Sequence, residues 1–225
     1  MYQLLFLFLL FIIYSFIGWC IEVIGCSITS RKIVNRGFLI GPYCPIYGIG
    51  CLLISILCTP YIDDMFVLFI LVIFLTSTLE YFTSYILEKM FNARWWDYSN
   101  SFLNIDGRVC IINSIGFGLG GVLFLNIIEP ITVEFVKNIP LDIFYVIASP
   151  LFIFFIIDII TSFKLTFSLK NSFTALRKDY TSEITSKIRK KLIDQSKSFK
   201  RILQAFPNAK LIGNGKKHRF FKRNR

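Results

Sequence analysis

Histidine is almost missing from this chain: there is one in 225 residues, His218. The rest of the sequence therefore has no imidazole for metal ligation or general-base chemistry. Charge is sparse as well, 17% of residues against about 25% in a soluble domain. No Lys or Arg precedes Arg31, so the apolar N-terminal stretch lacks the basic n-region of a secretory signal. It also has no clear small-residue cleavage site, and it reads as a retained helix. A nucleotide-binding phosphate loop is missing too. Gly213-Asn214-Gly215-Lys216-Lys217 lacks the first glycine and the Ser/Thr of G-x-x-x-x-G-K-[ST]. The apolar segments do not alternate as barrel strands do, which leaves helices as the spanning structure.

Apolar side chains are what the chain has in excess: 55% hydrophobic, 17% aromatic, mean hydropathy +0.62. Runs of about 18 or more mostly apolar residues mark membrane spans. They fall at 4–24, 45–61 (weaker, with glycines at its start), 65–87, 111–128 and 143–163. The expected fold is an all-α membrane protein with a bundle of about five transmembrane helices over 1–166. A basic tail, partly helical, follows over 167–225. Eighteen of the 25 Lys and Arg lie from Lys164 onward. With the N-terminus outside, every cation except Lys137 faces the cytoplasm, as the positive-inside rule asks.

The stretch from Thr76 to Cys110 organises the rest. Glu80 sits among Thr76, Ser77, Thr83 and Ser84 near the inner end of the third span. An acid there is costly unless it is paired or faces a wet cavity. Ser77, Glu80, Ser84 and Glu88 recur at three- and four-residue steps, which makes one polar stripe. The following loop holds Arg94, Trp95, Trp96, Asp97, Tyr98, Asn104, Asp106 and Arg108, with the tryptophans at headgroup depth. Glu22 and Asp158 fall at the same side of the membrane. The candidate substrate-binding set is Glu22, Glu80, Arg94, Trp96, Asp97, Tyr98, Asn104 and Arg108. Its acids and arginines form either a structural ion-pair network or the lining of a cytoplasm-facing cavity.

Other features read more plainly. Cys44, Cys51 and Cys58 repeat every seven residues, but helical steps of about 10.5 Å cannot share one ion through bonds of about 2.3 Å. The cysteines read as small buried thiols, with no metal and no cofactor implied. Two prolines and four glycines between Arg36 and Gly50 make either an interfacial turn or a re-entrant entry to the second span. Gly116 and Gly120 form a small-xxx-small pair for close helix packing. Phe173, Leu176, Tyr180, Ile184 and Ile188 mark an amphipathic helix leaving the last span, and 216–225 read as disordered. A tethered polybasic tail suits anionic lipid headgroups better than nucleic acid.

Gly18-Trp19-x-x-Glu22, Gly37-Phe38-Leu39-x-Gly41-Pro42-x-x-Pro45-Ile46-Tyr47-Gly48, Leu79-Glu80-Tyr81 with Leu87-Glu88, Trp95-Trp96-Asp97-Tyr98-Ser99 and Asn104-x-x-Gly107-Arg108-x-Cys110 occur in this order. Over about residues 10 to 125 they resemble the bacterial CmpB-like ABC transporter permease family. The resemblance implies a multi-span plasma-membrane protein of unsettled substrate. It also implies a separate ATPase subunit, since this chain has no nucleotide motif. The Glu-Ala-Ala coupling motif of importer permeases is not seen. A homo-oligomer is open. Three functions stand side by side: a transport component whose cavity is lined by Glu80, an intramembrane enzyme acting on lipid-linked headgroups, and a non-catalytic accessory or sensor protein. In the enzyme reading Glu80 or Asp97 is the base, and Arg94 and Arg108 hold phosphate.

Overall fold

A computed structural model describes residues 1–31, 35–179, 210–213 and 216–219. The chain opens with helix α1, Tyr2–Ser30, which carries no charge before Glu22 and ends at Arg31 in the left-handed region, φ 54°. At 29 residues it is about 43 Å long. Helix α2, Pro45–Cys58, begins on a proline whose missing N–H costs nothing at a first turn. A short 3-10 turn, Thr59–Tyr61, extends it. Helix α3, Met65–Phe91, is capped by Asp64, whose Oδ1 accepts from the amides of Phe66 and Val67 at 3.1 and 3.0 Å. It closes at Asn92, again left-handed.

Helix α4, Ile111–Leu123, runs through a π turn, Phe124–Ile128, into α5, Glu129–Lys137. Helix α6, Leu141–Asp179, has Pro150 inside it. Four helical stretches are long and apolar enough to cross a membrane: Tyr2–Ile28, Met65–Phe91, Ile111–Lys137 and Leu141–Ser168. The remaining expected span, Pro45–Tyr61, is an apolar helix but a shorter one. Its shortness has a local cause. The Cys44 amide donates to the Ser15 carbonyl at 2.9 Å, so α2 starts only half-way along α1. The glycines and prolines before it keep 37–44 out of helix. That loop, not helix, lies beside the second half of α1.

The apolar core sits at the end of the bundle where α1 begins. Leu9 and Tyr14 of α1 pack there with Ile54, Val72, Phe124 and Phe144. Large apolar side chains such as Phe66, Phe74 and Val146 point outward, as lipid-facing positions do. The α3–α4 contact uses different glycines from those expected. A Cβ on Gly118 would strike Phe69 and Ile73, and one on Gly121 would strike Val72. Gly116 and Gly120 meet nothing within 4 Å. Ser114, buried and bonded to Ser77 at 2.7 Å, turns the 114-118-121 face toward α3 instead.

Helix α6 continues unbroken past Ser168 to Asp179. The remainder of the expected tail helix, and 220–225 of the stretch read as disordered, lie outside the described residues. Within that stretch Lys216–Arg219 forms a strand, β5, paired with β4, Lys210–Gly213. Strand β4 pairs in turn with β1, Ala93–Arg94, Leu211 opposite Ala93. Backbone pairing of this kind leaves no trace in a Lys-rich composition.

Candidate functional site

Two short strands follow β1: β2, Asn104–Ile105, and β3, Val109–Cys110. They pair antiparallel around Asp106-Gly107. Both turn residues have positive φ, 53° and 66°, and the Arg108 amide donates to the Ile105 carbonyl at 2.9 Å. This is the type I′ geometry that Asp-Gly favours. A side chain at 107 would also meet Asp97 and Ser99. Asn104 secures the loop: its Nδ2 donates to the Ser101 carbonyl and its Oδ1 accepts from the Gly107 amide, both at 2.9 Å. The Trp96 indole donates to the Arg108 carbonyl at 2.9 Å. Asp97 accepts from the Ser99 amide and hydroxyl. Trp96, Asp97 and Asn104 thus shape the loop.

The arginines converge on Glu88. Arg94 Nε lies 2.8 Å from Glu88 Oε2, and Arg108 Nη1 lies 3.0 Å from the same oxygen. Arg94 Nη1 also donates to the Asp106 carbonyl at 2.8 Å and lies 3.6 Å from Asp97. Arg108 reaches the Ser84 hydroxyl at 3.2 Å and stacks over the rings of Tyr81 and Tyr85. Both arginines are buried. Their charge is met by Glu88 and Asp97, and Tyr81 binds the neighbouring Asp106 at 2.7 Å.

Glu80 is therefore left to other partners. It is 6% exposed. Its Oε1 accepts from the Tyr98 hydroxyl at 3.2 Å, and its Oε2 is buried with no partner. Glu22 of α1 lies within electrostatic reach of both Glu80 and Tyr98. Its own oxygens are held by the Tyr47 hydroxyl at 2.7 Å and by Arg36 Nε at 3.3 Å. Tyr47 can approach because a Cβ at Gly18 would occupy the place of its ring. Burial, then the charge of Glu80 and the bond to it, push the Tyr98 phenol up from its ordinary value. Tyr98 stays a donor at any physiological pH. Cys44 stands nearby, its thiol pushed up to about 12, first by burial and then by the Glu22 charge, with Arg36 opposing.

One more acid builds the frame. Asp158 of α6 accepts four bonds from or beside the 37–44 loop: the Ile40 amide at 2.9 Å, the Gly41 amide at 2.7 Å, the Tyr43 hydroxyl at 2.6 Å and the Ser162 hydroxyl at 2.8 Å. This satisfies backbone that would otherwise be expensive beside a membrane helix. Rings of Phe38, Phe91, Trp95 and Phe163 close the same corner, with centroids 5.3–6.2 Å apart.

Of the eight residues singled out in sequence, the structure brings Glu22, Glu80 and Tyr98 to one polar centre. Arg94, Arg108, Asp97, Trp96 and Asn104 form the adjoining loop network. Tyr47, Arg36, Glu88 and Asp158 were not in that set. Tyr47 and Arg36 lie in the Gly/Pro-rich run, and Glu88 lies on the same helical stripe as Glu80, so spacing marked it. Among the described residues no three His, Cys, Asp or Glu converge as metal ligands would.

The family model described as "Putative ABC-transporter type IV" matches residues 9–163. No curated protein and no solved structure gives a match to the chain.

Proposed function

The chain belongs to this CmpB-like ABC-transporter family, and from that premise we propose that it is the membrane-embedded permease component of a transport system, powered by a separate ATPase subunit. Its solute site is the centre formed by Glu80, Glu22, Arg36, Tyr47 and Tyr98, facing the cytoplasm, with the N-terminus outside. The observation that carries this reading is the Glu80 carboxylate. It is almost fully buried, it keeps one oxygen without a partner, and it sits at the end of the bundle beside a second acid. A buried ionisable group without full pairing inside a membrane protein is a functional group first. The headgroup-enzyme reading loses support because Arg94 and Arg108 are both buried and already paired with Glu88.

The test is solute uptake in a deletion strain, beside its lipid composition. Wild-type chain is expected to restore uptake of a solute and Glu80→Gln to fail, with lipids unchanged. An altered headgroup profile with unchanged uptake would instead favour the enzyme.

A further inference from the structure

A second polar cluster lies in the other half of the bundle, outside the site just described. Glu129 follows the π turn directly, and its Oε1 accepts from the Ser55 hydroxyl at 2.8 Å. One turn on, Thr132 shares a bond of 2.9 Å with the hydroxyl of Tyr14, which is 2% exposed and within electrostatic reach of Glu129. Between this cluster and Glu22 stands Ser15. It is 0% exposed, and its Oγ has no partner. Gly48 packs directly against it, since a Cβ there would strike that oxygen and Phe11. A buried hydroxyl without a partner costs about 1–3 kcal/mol, so Ser15 is an expense that packing alone does not explain. π turns often occur where function displaces a helix from its regular course.

The polar groups thus fall in order along α1. Glu80 and Glu22, with their tyrosines, come first. Ser15 is two turns further, and Tyr14, Thr132, Glu129 and Ser55 follow. Every group on the line except Arg36 offers oxygen. The charged members are three carboxylates against one cation, Arg36. An anion would meet three like charges for one opposite charge, itself already paired with Glu22. We propose that this line is the route of a small monovalent cation, an alkali ion or an ammonium group, between α1, α2 and α5. The proposal rests on the transport reading above and names its substrate class. The route is narrow, because Ser15 and Tyr14 are closed in on all sides. It is unsuited to multivalent metals, since no three strong ligands meet among the described residues.

The full-length chain, expressed in the deletion strain, would be assayed with radiolabelled sodium, rubidium and methylammonium, beside labelled phosphate and a neutral sugar. One cation is expected to enter in a chain-dependent way. Tyr14→Phe and Glu129→Gln should each slow it about tenfold, the first by removing a buried oxygen and the second a carboxylate charge, while Glu129→Asp retains most of the rate. Each variant is compared after purification as a monodisperse protein, and Tyr14→Phe carries the test if Glu129→Gln does not fold. Cation entry that needs Glu80 yet is unchanged in both Tyr14→Phe and Glu129→Gln overturns the route. Chain-dependent uptake of phosphate or sugar without any cation overturns the substrate class and leaves the transport reading intact. No chain-dependent uptake of any tracer removes both.

Discussion

Arg108 and Glu88 lie 3.0 Å apart, and that contact turns the arginine away from Glu80. Eight residues earlier on the same helix, Glu80 would be an ordinary ion-pair partner if the arginine had turned toward it. Because Glu88 takes both Arg94 and Arg108, one acid of the stripe is ion-paired and the other is bonded only to the Tyr98 hydroxyl.

The two acids should therefore separate by experiment. Glu88→Gln leaves two buried guanidinium groups without their carboxylate and should cost about 3 kcal/mol. Its thermal midpoint in detergent should fall well below that of the wild type.

Glu80→Gln should behave in the opposite way. It removes a buried charge with only one bond, so the thermal midpoint should be unchanged or higher while uptake is lost. Tyr98→Phe, which takes away that one bond, should reduce uptake with little change in folding. A Glu80→Gln protein as unstable as Glu88→Gln would show that Glu80 is part of the frame.

Cys44 gives a prediction in pH. Its thiol is pushed up to about 12, so the neutral form persists throughout the physiological range. At pH 8 the thiolate fraction is on the order of 10⁻⁴, against roughly a quarter for an ordinary thiol. In a variant whose sole cysteine is Cys44, maleimide labelling should be slower than for a free thiol peptide by about a thousandfold. The rate should still be climbing at pH 10, and unfolding in detergent should abolish the difference.

Asp158→Asn tests the loop. The amide keeps one acceptor where the carboxylate had two, so one of the Ile40 and Gly41 amides loses its bond to residue 158, Ile40 then keeping only the Ser162 hydroxyl at 3.2 Å. Hydrogen exchange at these two amides should speed up, by about tenfold for each bond of roughly 1.4 kcal/mol lost. Exchange in the α3 backbone should not change.

Much of this was legible in advance, and the reasons differ by element. Apolar length alone marked α1, α3, α4 and α6, but it stopped at 128 and left the charged α5 as loop. The acid at 80 and the polar stripe of α3 followed from spacing and from the cost of charge in lipid. The partner of Arg108 did not follow. Glu80 and Glu88 share a face, and only the I′ turn at Asp106-Gly107 fixes which of them the returning strand reaches. Nor did Asp158 reveal its role. Its partners are backbone amides 117 and 118 residues away, and backbone donors carry no residue identity. The glycine face of α4 was misread for a similar reason. Gly116, Gly118, Gly120 and Gly121 are equivalent as letters, and Ser114 selects among them.

Mechanically, α6 is a lever. It runs from Leu141 to Asp179 as one helix, with a natural weak point at Pro150, where a backbone bond is missing. Asp158 stands eight residues beyond that fulcrum and the far tip stands 29 beyond it. A sideways push at Asp179 is therefore geared down roughly fourfold by the time it reaches Asp158. A displacement of about 8 Å outside the membrane becomes about 2 Å at the carboxylate that grips Ile40 and Gly41. That is enough to draw two hydrogen bonds beyond their reach, and so to free the loop at Ile40 and Gly41 from α6.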